Sequence, residues 1–105
     1  MSFTVRIDDI ALRDIDNFVA YQSEYSEAFA AEQIDRLYRV FNFHLAQAPM
    51  TWGNFFITGE PYHAYLFRVG RRTSYWIVYT IDDVNKIVTV LRFWNASRDN
   101  KAFEI

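Results

Sequence analysis

The chain has 105 residues, 51% of them hydrophobic and 19% aromatic, and with only 3 glycines and 2 prolines this composition excludes a disordered or collagen-like protein. The absence of cysteine excludes disulfide bonds, a thiol nucleophile and a thiolate zinc site, and 2 histidines are too few for a metal cage, so we expect no metal or other cofactor. The formal net charge is -2, but five arginines fall after position 61, at Arg68, Arg71, Arg72, Arg92 and Arg98.

One domain over residues 1–105 fits this length. No apolar run is long enough to span a membrane, and residues 2–7 have the pattern of a strand where a secretory leader would carry an apolar stretch. We therefore expect a single cytoplasmic domain.

The chain is predicted to begin with a strand and a helix. Residues 3–7 alternate as a short edge strand, and Asp8 and Asp9 offer N-cap oxygens to a first helix that starts near Ile10. The apolar stripe of this helix contains Leu12, Ile15, Phe18 and Val19. The acidic residues around it are interpreted as caps and a solvated face without catalytic pairing, namely Asp8, Asp9, Asp14 and Asp16.

A second helix is predicted from apolar residues at spacings of three and four, which are Ala30, Ile34, Leu37, Phe41 and Leu45. Ser23 or Ser26 can cap its start, and Pro49 ends it. The two helices are expected to form an antiparallel hairpin that needs a partner surface. Residues 55–58 are predicted as a loop or a strand fragment, and residues 59–61 as a turn.

After Pro49 the period changes to two, which predicts three antiparallel strands over 62–69, 74–81 and 86–94. The middle strand is expected to turn one face to the helices, with Tyr75, Ile77, Tyr79 and Ile81. Regular alternation in the last strand places Val88, Val90, Arg92 and Trp94 on one shared face. The fold class is therefore α+β, with a short N-terminal strand and a helical hairpin packed on a twisted antiparallel sheet.

Three segments carry a resemblance to a known family. They are residues 11–15 (ALRDI) in the first helix, 75–81 (YWIVYTI) in the middle strand, and 87–99 (IVTVLRFWNASRD) across the last strand and the tail. Together they resemble the RelE/ParE toxin superfamily, the toxins of bacterial type II toxin-antitoxin and plasmid-stabilisation systems. The last segment is the most specific, although Asn95 replaces a His that is common in the family.

The resemblance implies a small growth-inhibiting toxin that forms a hetero-oligomer with a cognate antitoxin, which covers its active surface. In the ParE-like branch the toxin poisons DNA gyrase and does no chemistry of its own. In the RelE-like branch it enters the ribosome and cleaves mRNA. A third reading is a toxin-like fold that has lost toxicity and only binds a partner.

Two departures from the RNA-cleaving pattern favour the ParE-like branch. That branch usually places an Arg directly after the residue equivalent to Tyr75, and Trp76 stands there; it also tends to supply a Tyr or His near the C-terminus, and none follows Asn95. The sequence pI of about 5.6 fits ribosome binding poorly, because affinity for polyanions rises with the number of phosphates neutralised. Arg92 and Arg98 match the ParE-like pattern better.

Three sets of candidate site residues result. The candidates for RNA cleavage are Arg68, His63 and Arg92. The candidates for the target-contacting surface, called the target surface below, are Arg92, Trp94, Asn95 and Arg98. The candidates for antitoxin binding are Arg71, Arg72 and Trp76. The structural alternatives are a solvated turn for the two adjacent arginines, core packing for the tryptophans, and a structural role beside the core stripe of the second helix for His44.

Overall fold

The computed structural model describes residues 2–51 and 62–98. Its elements in chain order are β1 (Thr4–Ile7), α1 (Asp9–Tyr25), α2 (Glu27–Arg39), a π-helical turn (Val40–Leu45), a 3-10 turn (Pro49–Thr51), β2 (His63–Arg68), β3 (Ser74–Asp82) and β4 (Ile87–Asn95). The predictions for residues 55–58 and 59–61 lie outside the described residues. None of the helices within these two ranges is both long and apolar enough to cross a membrane.

The four strands form one sheet in the order β1-β4-β3-β2. The antiparallel pairing of β2 with β3 and of β3 with β4 confirms the predicted meander. β1 instead pairs parallel with β4, with Thr4 opposite Ile87 and Ile7 opposite Val90, so the sheet is mixed and not wholly antiparallel. A four-residue strand carries no pattern that records its neighbour's direction, and the chain between β1 and β4 is long enough for a parallel pairing.

A β-bulge interrupts the ladder between β3 and β4. Tyr79 lies opposite Val90, and the preceding Val78 lies opposite Arg92, so Leu91 has no partner on β3. One extra residue in a strand reverses the alternation of its side chains from that point onward. In β4, even-numbered residues therefore face the helices before the bulge, and odd-numbered residues face them after it.

The bulge decides which β4 side chains enter the main core. Before it Val88 and Val90 are buried with the helical residues, and after it Phe93 takes that place. Trp94 belongs to a second, smaller cluster, whose β2 and β3 members alternate with the core residues and so lie on the other face. The shared face predicted for Val88, Val90, Arg92 and Trp94 was wrong, because that prediction assumes an unbroken strand.

The main core lies between the helices and one face of the sheet. The predicted inner face of β3 is confirmed, since Ile77 and Tyr79 are fully buried in this core and Tyr75 and Ile81 pack against it. The helical side chains buried in the same core are Ala11, Phe18, Leu37, Val40, Phe41 and Leu45. Most of the two predicted stripes meets the sheet, but the placement of Leu12 in the first stripe was wrong: Leu12 is 43% exposed, and its neighbour Ala11 is buried instead.

A single residue, Ser26, separates the two helices. Its Oγ accepts a hydrogen bond from the backbone N of Phe29 at 3.1 Å, which confirms one of the two predicted caps. α1 starts at Asp9, and Asp8 occupies the N-cap position without a side-chain capping bond. The helical hairpin is therefore tighter than predicted.

The second helical segment ends in a π-helical turn over Val40–Leu45. Ala46 N donates to the carbonyl O of Phe41 at 3.0 Å, five residues back along the chain. In a regular α-helix, with 3.6 residues per turn, successive residues spaced four apart gradually rotate away from one face. The wider π-helical turn keeps Phe41 and Leu45 on the core side. The sequence pattern predicts the buried residues but not the change of helix type.

The turn between β3 and β4 is built around Asp82. Its carboxylate accepts hydrogen bonds from the side-chain amide of Asn85 at 2.8 Å, from Asn85 N at 3.0 Å and from Val84 N at 3.1 Å. These hydrogen bonds hold the pKa of Asp82 below its usual value, and the two from Asn85 contribute most. The role that these contacts give Asp82 is to hold the turn in shape.

A buried hydrogen bond joins the sheet to the end of the helical segment. Tyr79 is fully buried, and its hydroxyl donates to the carbonyl O of Pro49 at 2.6 Å. Burial raises the pKa of Tyr79 far above its ordinary value, because a phenolate would lose its hydration there. The hydroxyl therefore stays a neutral donor and fastens the 3-10 turn to the middle strand.

Replacing Tyr79 by Phe removes only this hydroxyl, so the carbonyl of Pro49 loses the hydrogen bond from Tyr79. We expect the Tyr79→Phe free energy of unfolding, measured by urea denaturation, to be lower by about 1–3 kcal/mol, the cost of a buried unsatisfied group. Tyr38→Phe, on the exposed side of α2, is the matched control and should change it by less than about 0.5 kcal/mol. Equal effects of the two substitutions would contradict this role.

The raised pKa of Tyr79 also predicts a loss of stability in alkaline solution. Above about pH 10 a tyrosine of the unfolded chain ionises while Tyr79 stays neutral in the fold, so the unfolded state binds fewer protons. The free energy of unfolding should then fall by up to about 1.4 kcal/mol per pH unit for this group. Urea denaturation over an alkaline pH series should show a shallower slope for Tyr79→Phe. Identical slopes for the two proteins would refute the assignment.

Candidate functional site

The target surface maps to the end of β4 that extends past β1. β1 pairs with β4 only as far as Val90, so the last five residues of β4 lie beyond the reach of β1. Arg92, Trp94 and Asn95 lie on this stretch, and Arg98 follows it. α1 packs along the same strand and supplies the contacts that β1 does not.

Asp14 of α1 joins the helix to this end of β4. Its Oδ2 accepts from Arg92 Nε at 2.7 Å, and its Oδ1 accepts from Arg92 Nη2 at 3.1 Å. Oδ2 also accepts from the backbone N of Phe93 at 3.0 Å, so the carboxylate takes the place of a strand partner. The side chains of Asp14 and Arg92 are 16% and 14% exposed, which shields the ion pair from much of the solvent.

The interpretation of Asp14 as part of a solvated acidic face was therefore wrong. Helical periodicity places this residue beside the apolar stripe, at its margin, where a side chain can still reach the sheet. The partner, Arg92, lies 78 residues away in the chain, and no local pattern records such a pairing. Arg92, a candidate for the target surface, therefore has its guanidinium already held by the fold.

Two guanidinium groups pack on the ring of Trp94. The guanidinium carbon of Arg92 lies 5.1 Å from the ring centroid, and that of Arg98 lies 4.4 Å from it. Trp94 is only 2% exposed, whereas Arg98 is exposed. Of these three side chains Arg98 is thus the one that a macromolecule can contact directly, with the indole as its support.

Asn95 ends β4 and closes a small turn. Its Oδ1 accepts hydrogen bonds from the backbone N of Ser97 at 2.9 Å and from the hydroxyl of Ser97 at 2.8 Å. Two clefts of about 270 Å³ each flank Asn95, one lined by Tyr75 and Arg98 and the other by Arg72. The target surface and part of the predicted antitoxin surface are therefore neighbours.

The predicted antitoxin residues occupy two different environments. Arg71 and Arg72 are exposed in the turn between β2 and β3, where Gly70 has a φ of 115°, a conformation that favours glycine. Trp76 is half-buried and lies opposite Trp94 in the ladder. The arginines are directly accessible to a partner, whereas Trp76 contributes to the sheet as well.

The three candidates for RNA cleavage do not converge. His63 and Arg68 occupy opposite ends of β2, so their Cα atoms are about 17 Å apart at the usual rise per residue. The ring of His63 stacks on Tyr79 at 5.6 Å, on the side of the main core. Arg92 is held by Asp14 at the far strand of the meander.

A second basic region, which the sequence did not predict, lies between α2 and β2. It is a cleft of about 400 Å³ whose lining includes Arg36, Arg39 and Arg68, together with His44 and Tyr65. The distribution of charge along the sequence does not reveal this region, because two of its arginines lie in the first half of the chain, which is acidic overall. The available signal was two arginines three residues apart near the end of α2, on one side of the helix.

Within the ranges 2–51 and 62–98, no three His, Cys, Asp or Glu side chains are grouped so that they could hold a metal ion. The arginines in these ranges can recognise carboxylates and phosphates as cations. They are concentrated at the β4 end and in the cleft between α2 and β2.

The bridge from Asp14 predicts a stability loss that depends on its partner. Asp14→Ala should lower the free energy of unfolding by about 1–3 kcal/mol, because a buried donor and a guanidinium lose their acceptor. The exposed Asp16→Ala is the control and should have little effect. In a double-mutant cycle with Arg92→Ala, the double variant should lose less unfolding free energy than the sum of the two single losses, by about 1 kcal/mol or more. Strict additivity would show that the two side chains are not coupled.

The fold is similar to two solved toxin-antitoxin complexes. One is the RelBE2 complex from Mycobacterium tuberculosis, with a TM-score of 0.59 and 20% identity over 90% of this chain and 99% of that chain. The other is the archaeal RelE-RelB complex from Pyrococcus horikoshii OT3, with a TM-score of 0.50 and 14% identity over 94% of this chain and 100% of that chain. At these identities the likeness shows the fold alone. No curated protein matches the chain.

The sequence itself matches a family model along nearly its whole length. Residues 5–100 match the ParE toxin of type II toxin-antitoxin systems, parDE. This range contains every residue of the target surface and of the predicted antitoxin surface. The chain therefore belongs to the ParE toxin family of type II toxin-antitoxin systems, as its resemblance to the RelE/ParE superfamily implied.

Proposed function

We propose that this toxin arrests growth by poisoning DNA gyrase, that it does no chemistry of its own, and that a cognate antitoxin neutralises it. The observation that carries the first part is the separation of Arg68, His63 and Arg92. RNA cleavage without a metal needs a proton acceptor, a proton donor and a cation around one phosphate. A poison needs only a surface that binds the enzyme.

The charge of the chain supports the same choice. A formal net charge of -2 and a sequence pI of about 5.6 are unfavourable for tight binding to ribosomal RNA, whose affinity for proteins depends on neutralised phosphates. A protein target is compatible with a locally basic patch on an acidic protein. Arg98 on Trp94 is such a patch.

An antitoxin partner is supported by the two solved structures of similar fold, RelBE2 and RelE-RelB, which are both complexes of a toxin with its antitoxin. Arg72 lines a cleft that also contains Asn95, so a chain bound at the β2–β3 turn would lie against the target surface. We propose that Arg71, Arg72 and Trp76 contact the antitoxin, and that this contact covers the target surface by proximity.

The experiment that tests the target is induction of the gene in a bacterium, with thymidine and methionine pulse-labelling in parallel. Thymidine incorporation should fall first while methionine incorporation persists. With purified DNA gyrase, supercoiled plasmid and ATP, the protein should cause linear DNA to accumulate after detergent and protease treatment. Early loss of methionine incorporation would instead support the RelE-like mRNA endonuclease, and no effect on either label would leave a partner-binding module.

Arg98→Ala is the variant that examines the target surface in the same assays. It removes an exposed guanidinium without breaking a described ion pair, so about tenfold more protein should be needed for equal linear DNA. Arg13→Ala, exposed on α1, is the matched control and should behave as the wild type. Unchanged potency of Arg98→Ala at equal folded concentration would remove Arg98 from the target surface.

A further inference from the structure

One of the two clefts beside Asn95 joins the helical hairpin to the target surface. It has a volume of about 270 Å³, and α1 contributes Asn17 and Tyr21 to its lining. Tyr75 of β3 and Arg98, which follows β4, line the same space. We call it the α1–β4 cleft. Its two tyrosines belong to none of the three sets of candidate residues.

An uncompensated positive charge lies at this cleft. Asp14 also lines it, but both oxygens of its carboxylate already accept hydrogen bonds, from the guanidinium of Arg92 and from the backbone N of Phe93. Arg98 is exposed and forms no ion pair with any residue of 2–51 and 62–98. The cleft therefore favours a negatively charged group.

Two phenol groups add neutral hydrogen-bond donors. The hydroxyl of Tyr21 lies 3.3 Å from that of Tyr25 and can accept a hydrogen bond from it, which leaves the hydrogen of Tyr21 for a group in the cleft. Burial raises the pKa of Tyr75, and the neighbouring Tyr21 raises it further. Tyr75 thus keeps its proton at neutral pH and can also donate.

The donors on the sheet side of the cleft are held in place before anything binds. The ring of Tyr75 stacks on Phe93, with centroids 4.4 Å apart and planes 3° apart, and meets the edge of Phe18 at 5.0 Å. The guanidinium carbon of Arg98 lies 4.4 Å from the centroid of the Trp94 ring. These contacts lower the side-chain entropy that binding would cost.

We propose that the α1–β4 cleft receives the carboxylate of an Asp or Glu side chain on the target protein, with Arg98 as its ion-pair partner and the hydroxyls of Tyr21 and Tyr75 as further donors. Hydrogen bonds to a charged group are the strong ones, and a guanidinium can give a carboxylate two in parallel. The identity of the target rests on the proposed function, whereas the chemistry of the bound group rests on the cleft. The proposal makes α1 part of the target surface.

A single carboxylate fits the cleft better than other groups do. A basic side chain would be repelled by Arg98, and an apolar side chain would remove water from two hydroxyls without offering an acceptor. A nucleic acid strand would bring further phosphates close to exposed acids of α1, since Asp16 adjoins the cleft residue Asn17 and Glu24 lies about one helical turn beyond Tyr21.

The test titrates the isotope-labelled protein with the amide of N-acetylglutamate, followed by two-dimensional NMR at constant ionic strength. The backbone signals of Asn17, Tyr21 and Arg98 should shift and saturate. The amide of N-acetylglutamine has the same shape without the charge and should bind at least about tenfold more weakly. No saturable shift at these residues up to about 100 mM, or equal affinity for the two compounds, would overturn the proposal.

Tyr21→Phe removes one donor and keeps the ring, so it should bind the glutamate compound about fivefold more weakly. Tyr38→Phe is the matched control, because Tyr21 and Tyr38 are both 55% exposed on helices and Tyr38 lies outside the cleft lining. It should bind like the wild type. Equal affinity of the two variants would show that the hydroxyl of Tyr21 is not a donor to the carboxylate and would contradict the proposed site.

Dimethyl phosphate carries the same charge as one phosphate of a nucleic acid backbone and examines the other source of an anion. It should bind the cleft more weakly than the glutamate compound at the same ionic strength. Tighter binding of dimethyl phosphate at the same residues would identify a phosphate site and overturn the proposal.

Failure of this proposal and failure of the proposed function give different results, because the titration needs no gyrase. If the protein makes gyrase accumulate linear DNA but does not bind the glutamate compound, the cleft proposal is wrong and the function stands. If it binds the compound at the cleft but arrests nothing, the function is wrong and the carboxylate site stands.

The gyrase assay then connects the cleft to the target. About fivefold more Tyr21→Phe than Tyr38→Phe protein should be needed for equal linear DNA, as in the titration. Equal potency of the two folded variants would show that the target does not use the cleft, and the proposal would be wrong. Circular dichroism and thermal unfolding establish that each variant is folded.

Discussion

The carboxylate of Asp14 is the interaction on which the geometry of the target surface depends. It accepts from Arg92 and from the backbone of Phe93, and so holds α1 against the part of β4 that β1 does not reach. An ion pair shielded from water adds little net stability, because both charges lose hydration, but losing one partner leaves the other uncompensated. The main effect of Asp14 is therefore placement. Arg92 and the indole beside it are ordered before any partner binds.

Both basic regions share one construction, in which an anchored guanidinium lies beside exposed ones. At the β4 end Asp14 anchors Arg92, and Arg98 is exposed on the same indole. In the cleft between α2 and β2 the amide of Gln33 anchors Arg36, with Arg39 and Arg68 exposed around it. Compact patches of this kind on a protein of net charge -2 suit protein surfaces better than long polyanions.

Periodicity predicted the parts of the fold that depend on local burial. The stripe through Leu37 and Phe41, the cap at Ser26 and the antiparallel meander follow from spacing and from turn residues. The direction of β1, the bulge at Leu91 and the pairing of Asp14 could not be predicted, because each depends on residues far apart in the chain. The site shows the same division. The sequence indicated Arg98 and Asn95 as neighbours, but Arg36 and Arg68 meet only when α2 packs beside β2.

The bulge at Leu91 restricts how the gene can change. Val88, Val90 and Phe93 all face the core, although Phe93 is an odd number of residues from the two valines. This is possible only because one residue between them has no partner in the ladder. Deleting any residue of β4 between Val90 and Phe93 would make the ladder continuous and turn either the core side chains or the target-surface side chains to the wrong face. We therefore expect this stretch to tolerate substitutions better than changes of length, which the exposed turn that follows Asp82 can absorb.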